Sequence, residues 1–115
     1  MAKKELIAKE IRNKIVSGEL PEGSPVFSRE FSVKYKANLK TANGAIWVLA
    51  NEGLLFSRPG AGYFVSPGAQ TQAKQQAMDR IREELSEIVA RARSLGLREK
   101  DILAMLGDGN GQKKD

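Results

Sequence analysis

Lys40, Thr41 and Asn43 stand almost side by side in this sequence, with Asn38 and Leu39 just before them. Their chemistry suits base reading. A lysine ammonium donates to guanine edges or to phosphate, and an asparagine amide pairs with adenine through both of its polar atoms. Farther on, Arg58 is followed by Gly60 and Gly62, a cation beside two positions without a Cβ, where backbone can approach a phosphate closely. Composition excludes other chemistries. The 115-residue chain has no cysteine and no histidine, which removes disulfides, thiol catalysis, zinc fingers and imidazole acid–base work. A carboxylate-only metal site stays open, but no EF-hand-like spacing of aspartates occurs. With no paired-carboxylate motif either, the chain reads as a non-enzyme with no catalytic residue, no metal and no cofactor.

The formal net charge of +5 favours a polyanionic partner. The surplus is unevenly placed: residues 1–66 hold ten Lys/Arg against six Asp/Glu, and residues 67–115 nine against eight. The length suits one compact domain, or a small domain with an appendage. Hydrophobic residues at 41% and charged residues at 29% are those of an ordinary globular chain. No apolar run approaches the ~20 residues that span a membrane. The start, Met-Ala-Lys-Lys-Glu, lacks the apolar core of a signal peptide. A cytoplasmic protein without membrane contact is the expectation.

The elements that would position these residues follow from periodicity and caps. Leu6, Ile7, Ile11, Ile15 and Val16 form one face of a first helix, ended by Ser17-Gly18. A turn-rich connector follows to Pro25, and Val26-Phe27 can form a very short strand. Ser28 is a fit N-cap for a second helix running to about Lys36, with Phe31 and Tyr35 one turn apart. After a break at Ala37, Asn38 caps a third helix over residues 39–51, its inward face Ala42, Ala45, Ile46 and Leu49. Glu52-Gly53 closes it. Two strands, Leu54 to Arg58 and Tyr63 to Val65, flank the turn Pro59-Gly60-Ala61-Gly62. The class is therefore mainly α with a small β-hairpin, a winged helix-turn-helix with recognition helix 39–51 and wing 55–65.

Beyond Pro67-Gly68, a long helix runs from about Thr71 without Gly or Pro until Gly96. Met78, Ile81, Leu85, Ile88, Ala92 and Leu95 make a heptad-type seam along it. A last helix spans Leu97 to Leu106. This predicts a winged domain over 1–67, a two-helix C-terminal dimerisation tail over 68–107, and disorder over 108–115. The seam can dock on the chain's own winged domain or on a second copy. We favour a homodimer, because little core lies near enough to cover nearly three heptads.

The ordered series of motifs resembles the GntR family of bacterial regulators, and within it the short-tailed YtrA-like subfamily. Gly18-Glu19-Leu20-Pro21-Glu22-Gly23 matches the family's "G-x-L-x-x-G" connector, and Ser28-Arg29-Glu30-Phe31-Ser32 its "Ser-x-Arg-Glu-Leu-Ala" helix start. Ala37-Asn38-Leu39-Lys40-Thr41-Ala42 stands for "Val-Asn-Pro-Asn-Thr-Val" at the recognition helix. Leu49 to Leu54 keeps "Leu-x-x-Glu-Gly-Leu", and Gly60 to Val65 keeps "Gly-x-Gly-x-Phe-Val". Ala92 to Leu97 is similar to the subfamily's link between its tail helices. Three departures stand out. The connector is one residue short before Arg29, which disturbs the usual capping box. Leu39 replaces an arginine or proline. Gly44 lies inside the recognition helix, at a cost of ~1 kcal/mol relative to alanine.

The resemblance implies a homodimeric repressor binding double-stranded DNA at a palindromic operator, with Arg29 contacting DNA from the second helix. Each site residue has a plainer role beside it. Arg29 can cap or pair locally, Lys40, Thr41 and Asn43 can be a solvated face, and Asn38 is first of all a cap. Gly60 and Gly62 are equally explained by turn geometry, Arg58 by ordinary surface charge. Trp47 is offset from the core face and suits packing against the tail or a partner. Fewer than fifty residues follow the wing, too few for a large effector domain. A small-molecule effector would bind between the tail helices or at their junction with the winged domain. The alternative function is a winged-helix module whose third helix binds a protein.

Overall fold

The computed structural model describes residues 1–111. Its elements are α1 (Lys3–Ser17), β1 (Pro25–Val26), α2 (Ser28–Lys34), α3 (Leu39–Asn51), β2 (Leu55–Arg58), β3 (Gly62–Val65), α4 (Ala69–Ser94) and α5 (Glu99–Gly111). They fall into two compact units, Met1–Gln76 and Ala77–Asp115. The expected boundary lay at Pro67-Gly68; the first unit runs on into α4 because Ala69 and Ala73 are buried in its core.

In that unit α1 begins where the Ala2 amide donates to the Glu5 carboxylate at 3.2 Å, half of a capping box. It ends at Gly18, whose φ of 85° is a conformation that a Cβ would strain. Between them Ile7, Ile11 and Ile15 recur one turn apart and are completely buried. They meet the inward face of α3, where Ala42, Ala45, Ile46 and Leu49 are buried as expected. Phe31 of α2, Leu54, Leu55, Val26 and Val65 close the same core.

Two expectations need correction. Ser28 does not cap α2: Phe27 takes the cap position in extended backbone, with φ −103° and ψ 117°, and no side chain satisfies the first amides. Sheet pairing causes this, since Val26 is held opposite Tyr63 and only Phe27 remains to join strand to helix. The wing, for its part, is more than a hairpin. β1 pairs antiparallel with β3, so the order is β1-β3-β2 in a three-stranded sheet.

In the second unit α4 stops at a Schellman-type turn. Gly96 has φ 86°, the Gly96 amide donates to the Arg93 carbonyl and the Leu97 amide to the Ala92 carbonyl, both at 3.0 Å. α5 then starts with the Arg98 amide donating to the Asp101 carboxylate at 2.8 Å, and continues to Gly111, past the expected end at Leu106. Of the segment expected to be disordered, residues 112–115 lie outside the described residues. Among those described, no helix is long and apolar enough to cross a membrane.

One charged cluster ties α1 to α2. The Glu10 carboxylate accepts from Lys34 Nζ at 2.7 Å, pairs with Lys14 Nζ at 3.2 Å, and accepts from the Tyr35 hydroxyl. Burial pushes the Glu10 pKa up, but the bonds from Lys34, Tyr35 and Lys14 outweigh it and bring it from 4.5 to about 2. The same bond from Glu10 raises the pKa of Lys14 and of Tyr35. Because the folded chain holds Glu10 ionised where the unfolded chain protonates it, stability is full above the unfolded pKa and falls as pH drops toward about 2. Glu10→Gln should cost about 1–2 kcal/mol at neutral pH and flatten the acid limb of stability. Urea unfolding of both proteins at neutral and acid pH measures this, and a parallel acid limb in the variant would contradict it.

Candidate nucleic-acid interface

α3 is capped by its own preceding residue. Asn38 is extended at φ −75° and ψ 164°, and its Oδ1 accepts from the Thr41 amide at 2.8 Å. Its amide NH2 is left for another acceptor. With Ala42, Ala45, Ile46 and Leu49 buried, helical geometry turns the other positions outward. Leu39 is 43% and Trp47 59% exposed, Lys40 and Asn43 are exposed, and Thr41 is half-buried. Leu39, Asn43 and Trp47 lie four residues apart on one line. Gly44 faces α1, where an added Cβ would meet Lys4 Cδ at 3.2 Å.

Arg29 is exposed on the first turn of α2. Together with Phe27, Asn43, Gly62 and Tyr63 it lines an open cleft of ≈350 Å³. The structure thus brings three expected residues, Arg29, Asn43 and Gly62, from α2, α3 and the wing to one place. Asn38, Leu39, Lys40, Thr41, Arg58 and Gly60 do not line that cleft.

In the wing the Ala61 amide donates to the Arg58 carbonyl at 2.9 Å across Pro59-Gly60, and Gly60 has φ 74°. Proline followed by a glycine of positive φ is the signature of a type II turn. Gly62 also has a positive φ, 102°, so turn geometry by itself requires both glycines. Arg58 pairs with Gly62, and Phe64 is its diagonal neighbour across the strands. The Arg58 guanidinium lies 4.7 Å from the Phe64 ring centre, and the Phe64 ring in turn lies 6.0 Å from that of Phe56. The Phe64 ring, tilted against Phe56, holds the guanidinium at the wing's surface. Phe64 went unnoticed in the sequence as a site residue; strand register, once the turn is placed, is the signal that finds it.

Charge pairing separates structural from available cations. Arg12 forks onto Glu52 at 2.7 and 3.2 Å, and Lys14 and Lys34 are tied to Glu10. Arg29, Lys40 and Arg58 enter no ion pair among the described residues. Nor do the described residues contain a cluster of carboxylates that could hold a metal ion.

Along α4, Met78, Ile81, Leu85 and Ile88 are 45–54% exposed, and Leu95 more so. Ala92 differs from the rest of the seam in being buried.

The profile of one family, "Bacterial regulatory proteins, gntR family", matches residues 3–65. No curated protein sequence matches the chain. Among solved structures the chain is similar to a transcriptional regulator from Oenococcus oeni, with a TM-score of 0.78 and 22% identity over 91% of this chain and 88% of that one. It is similar to YtrA from Sulfolobus acidocaldarius, a GntR-family transcription factor, with a TM-score of 0.51 and 23% identity over 97% and 90%. BusR of S. agalactiae, in complex with its busAB-promotor DNA, has a TM-score of 0.59 at 13% identity, over 100% of this chain and 58% of that one. At these identities the likeness is one of fold.

The cap at Asn38 has a measurable worth. Asn38→Ala should lower stability by about 1 kcal/mol, while Asn38→Asp, which keeps the acceptor, should lose little. Thermal unfolding decides it; equal losses in both variants would mean that the side chain is not acting as a cap.

Proposed function

Because the chain belongs to the gntR family of bacterial regulatory proteins, we propose that it works as a homodimeric repressor gripping a palindromic operator in double-stranded DNA. The single observation that carries this is the convergence of Arg29, Asn43 and Gly62 on one cleft, flanked by unpaired Lys40 and Arg58. In this reading the first turns of α3 enter the major groove, the groove that admits a helix and shows a distinct pattern for each base pair. Leu39, Thr41 and Asn43 meet base edges there, while Lys40 beside them and the free amide of Asn38 meet phosphates. Arg29 binds the backbone from α2. Arg58, Gly60 and Gly62 lay the wing against the minor groove or its phosphates. Support comes from BusR, a structural neighbour seen on promoter DNA. We place the chain in the YtrA-like subfamily on the helix pair that follows its wing and its likeness to YtrA, and in the cytoplasm with the DNA.

A second copy is the natural cover for the α4 seam. Met78, Ile81, Leu85, Ile88 and Leu95 recur with heptad spacing on one face, the pattern that self-associating helices bury. An isologous dimer presents two recognition helices related by a two-fold axis, and so asks for a palindrome.

Binding to duplex fragments should fall steeply with salt, by about 0.9 log units per log unit of salt for each phosphate neutralised. Arg29→Ala and Lys40→Ala should each make that slope shallower by about one per copy. Fluorescence anisotropy across a salt series reads both. No binding at low salt would sink the DNA-binding reading and favour a protein-binding third helix.

Leu85→Glu should turn a dimer into a monomer in sedimentation, leave helical content nearly unchanged, and weaken binding to palindromic duplexes. A wild-type chain that sediments as a monomer at micromolar concentration would refute the dimer.

A further inference from the structure

α3 carries one charged residue, Lys40, in its 13. Its outward line of Leu39, Asn43 and Trp47 reads apolar, amide, apolar, and all three are exposed. No arginine, whose fork makes the commonest specific contact to guanine, stands on it. An exposed leucine on the first turn of a groove-entering helix finds only one apolar group on a base edge, the C5 methyl of thymine. Asn43, one turn on, matches the donor and acceptor of adenine. Four residues of helix rise about 6 Å, just under two base steps of about 3.4 Å, so both side chains reach base pairs close together.

Resting on the DNA-binding function proposed for this chain, we infer that α3 reads an A·T-rich half-site. Asn43 takes an adenine, and Leu39 takes the methyl of a thymine within about two base pairs of it. Attraction to the duplex comes from elsewhere: Arg29 on α2, Lys40 beside the line and Arg58 on the wing are charged and unpaired. Sequence preference therefore rests on neutral side chains.

The probe is a duplex selected by the full-length chain from a random-sequence library. Enriched half-sites should be rich in A·T pairs. Exchanging the critical thymine for deoxyuridine removes only the methyl, and should weaken wild-type binding about three- to fivefold. Leu39→Ala should bind the thymine and uracil duplexes equally, and Asn43→Ala should lose about tenfold of its preference for adenine. The base exchange uses the wild-type chain, so it does not depend on how a variant folds. G·C-rich half-sites, or equal wild-type binding to both duplexes, would overturn the inference and leave DNA binding intact. A library with no enriched or retained duplex would overturn the DNA-binding function itself, and the inference with it.

Discussion

The outward face of α3 is decided by what its inward face must bury. Ala42, Ala45, Ile46 and Leu49 lie against the isoleucines of α1, and a helix with four buried positions has no freedom to turn about its axis. A turn of one residue would carry Asn43 into an apolar core without partners, at a cost of about 1–3 kcal/mol for its amide. Axial position is held at both ends. Glu52, just past the last turn, takes the fork of Arg12, and its carbonyl accepts from Gln72 at 2.7 Å. Just before the first turn, Lys3 Nζ donates to the Lys36 carbonyl at 2.8 Å. Presentation of Leu39, Lys40 and Asn43 is thus a consequence of packing and end clamps, and needs no partner to arrange it.

The same economy governs charge. The acidic groups of α1 and of the turn after α3 bind the cations nearest to them, so Arg12, Lys14 and Lys34 hold helices together. Arg29 at the head of α2, Lys40 at the head of α3 and Arg58 in the wing are among the cations that enter no ion pair among the described residues. Helix starts carry unsatisfied amides and a partial positive charge. Of these cations, Lys40 sits on the first turn of the 13-residue α3, where the backbone already favours an anion.

Features written in short-range chemistry were legible in the sequence. α3 was readable from end to end because Asn38 is a side-chain cap, the apolar period is regular and Gly53 takes a φ of 84° after it. The wing strands announced themselves through a proline–glycine turn. The start of α2 was not readable, since Phe27 offers no capping group and its place is set by β1 pairing with a strand far along the chain. The turn between α2 and α3 was blurred for a different reason. Lys36, with φ 51°, occupies the left-handed position that glycine usually marks. Ala69 and Ala73 hid the true start of α4, because small side chains barely register in an apolar period. For the candidate site, individual residues could be proposed from motif and cap. The convergence of Arg29, Asn43 and Gly62 on one cleft could not, because it depends on where α2, α3 and the wing meet in space. The Arg58 stack on Phe64 lay between these cases, available from register once the turn was fixed.

The arrangement separates two tasks that one helix often performs together. Affinity for a polyanion scales with the cations aimed at it, and these are spread over α2, α3 and the wing. Discrimination between base pairs needs groups that fit one edge and fail on another, and in α3 those groups are mostly uncharged. An arginine at position 39 would serve both tasks at once; leucine there gives up charge and keeps shape. Under the proposed function, α3 contributes little to attraction and most of the choice between sequences. Changes along Leu39 and Asn43 would then redirect the protein to other sequences without altering how strongly salt weakens its hold.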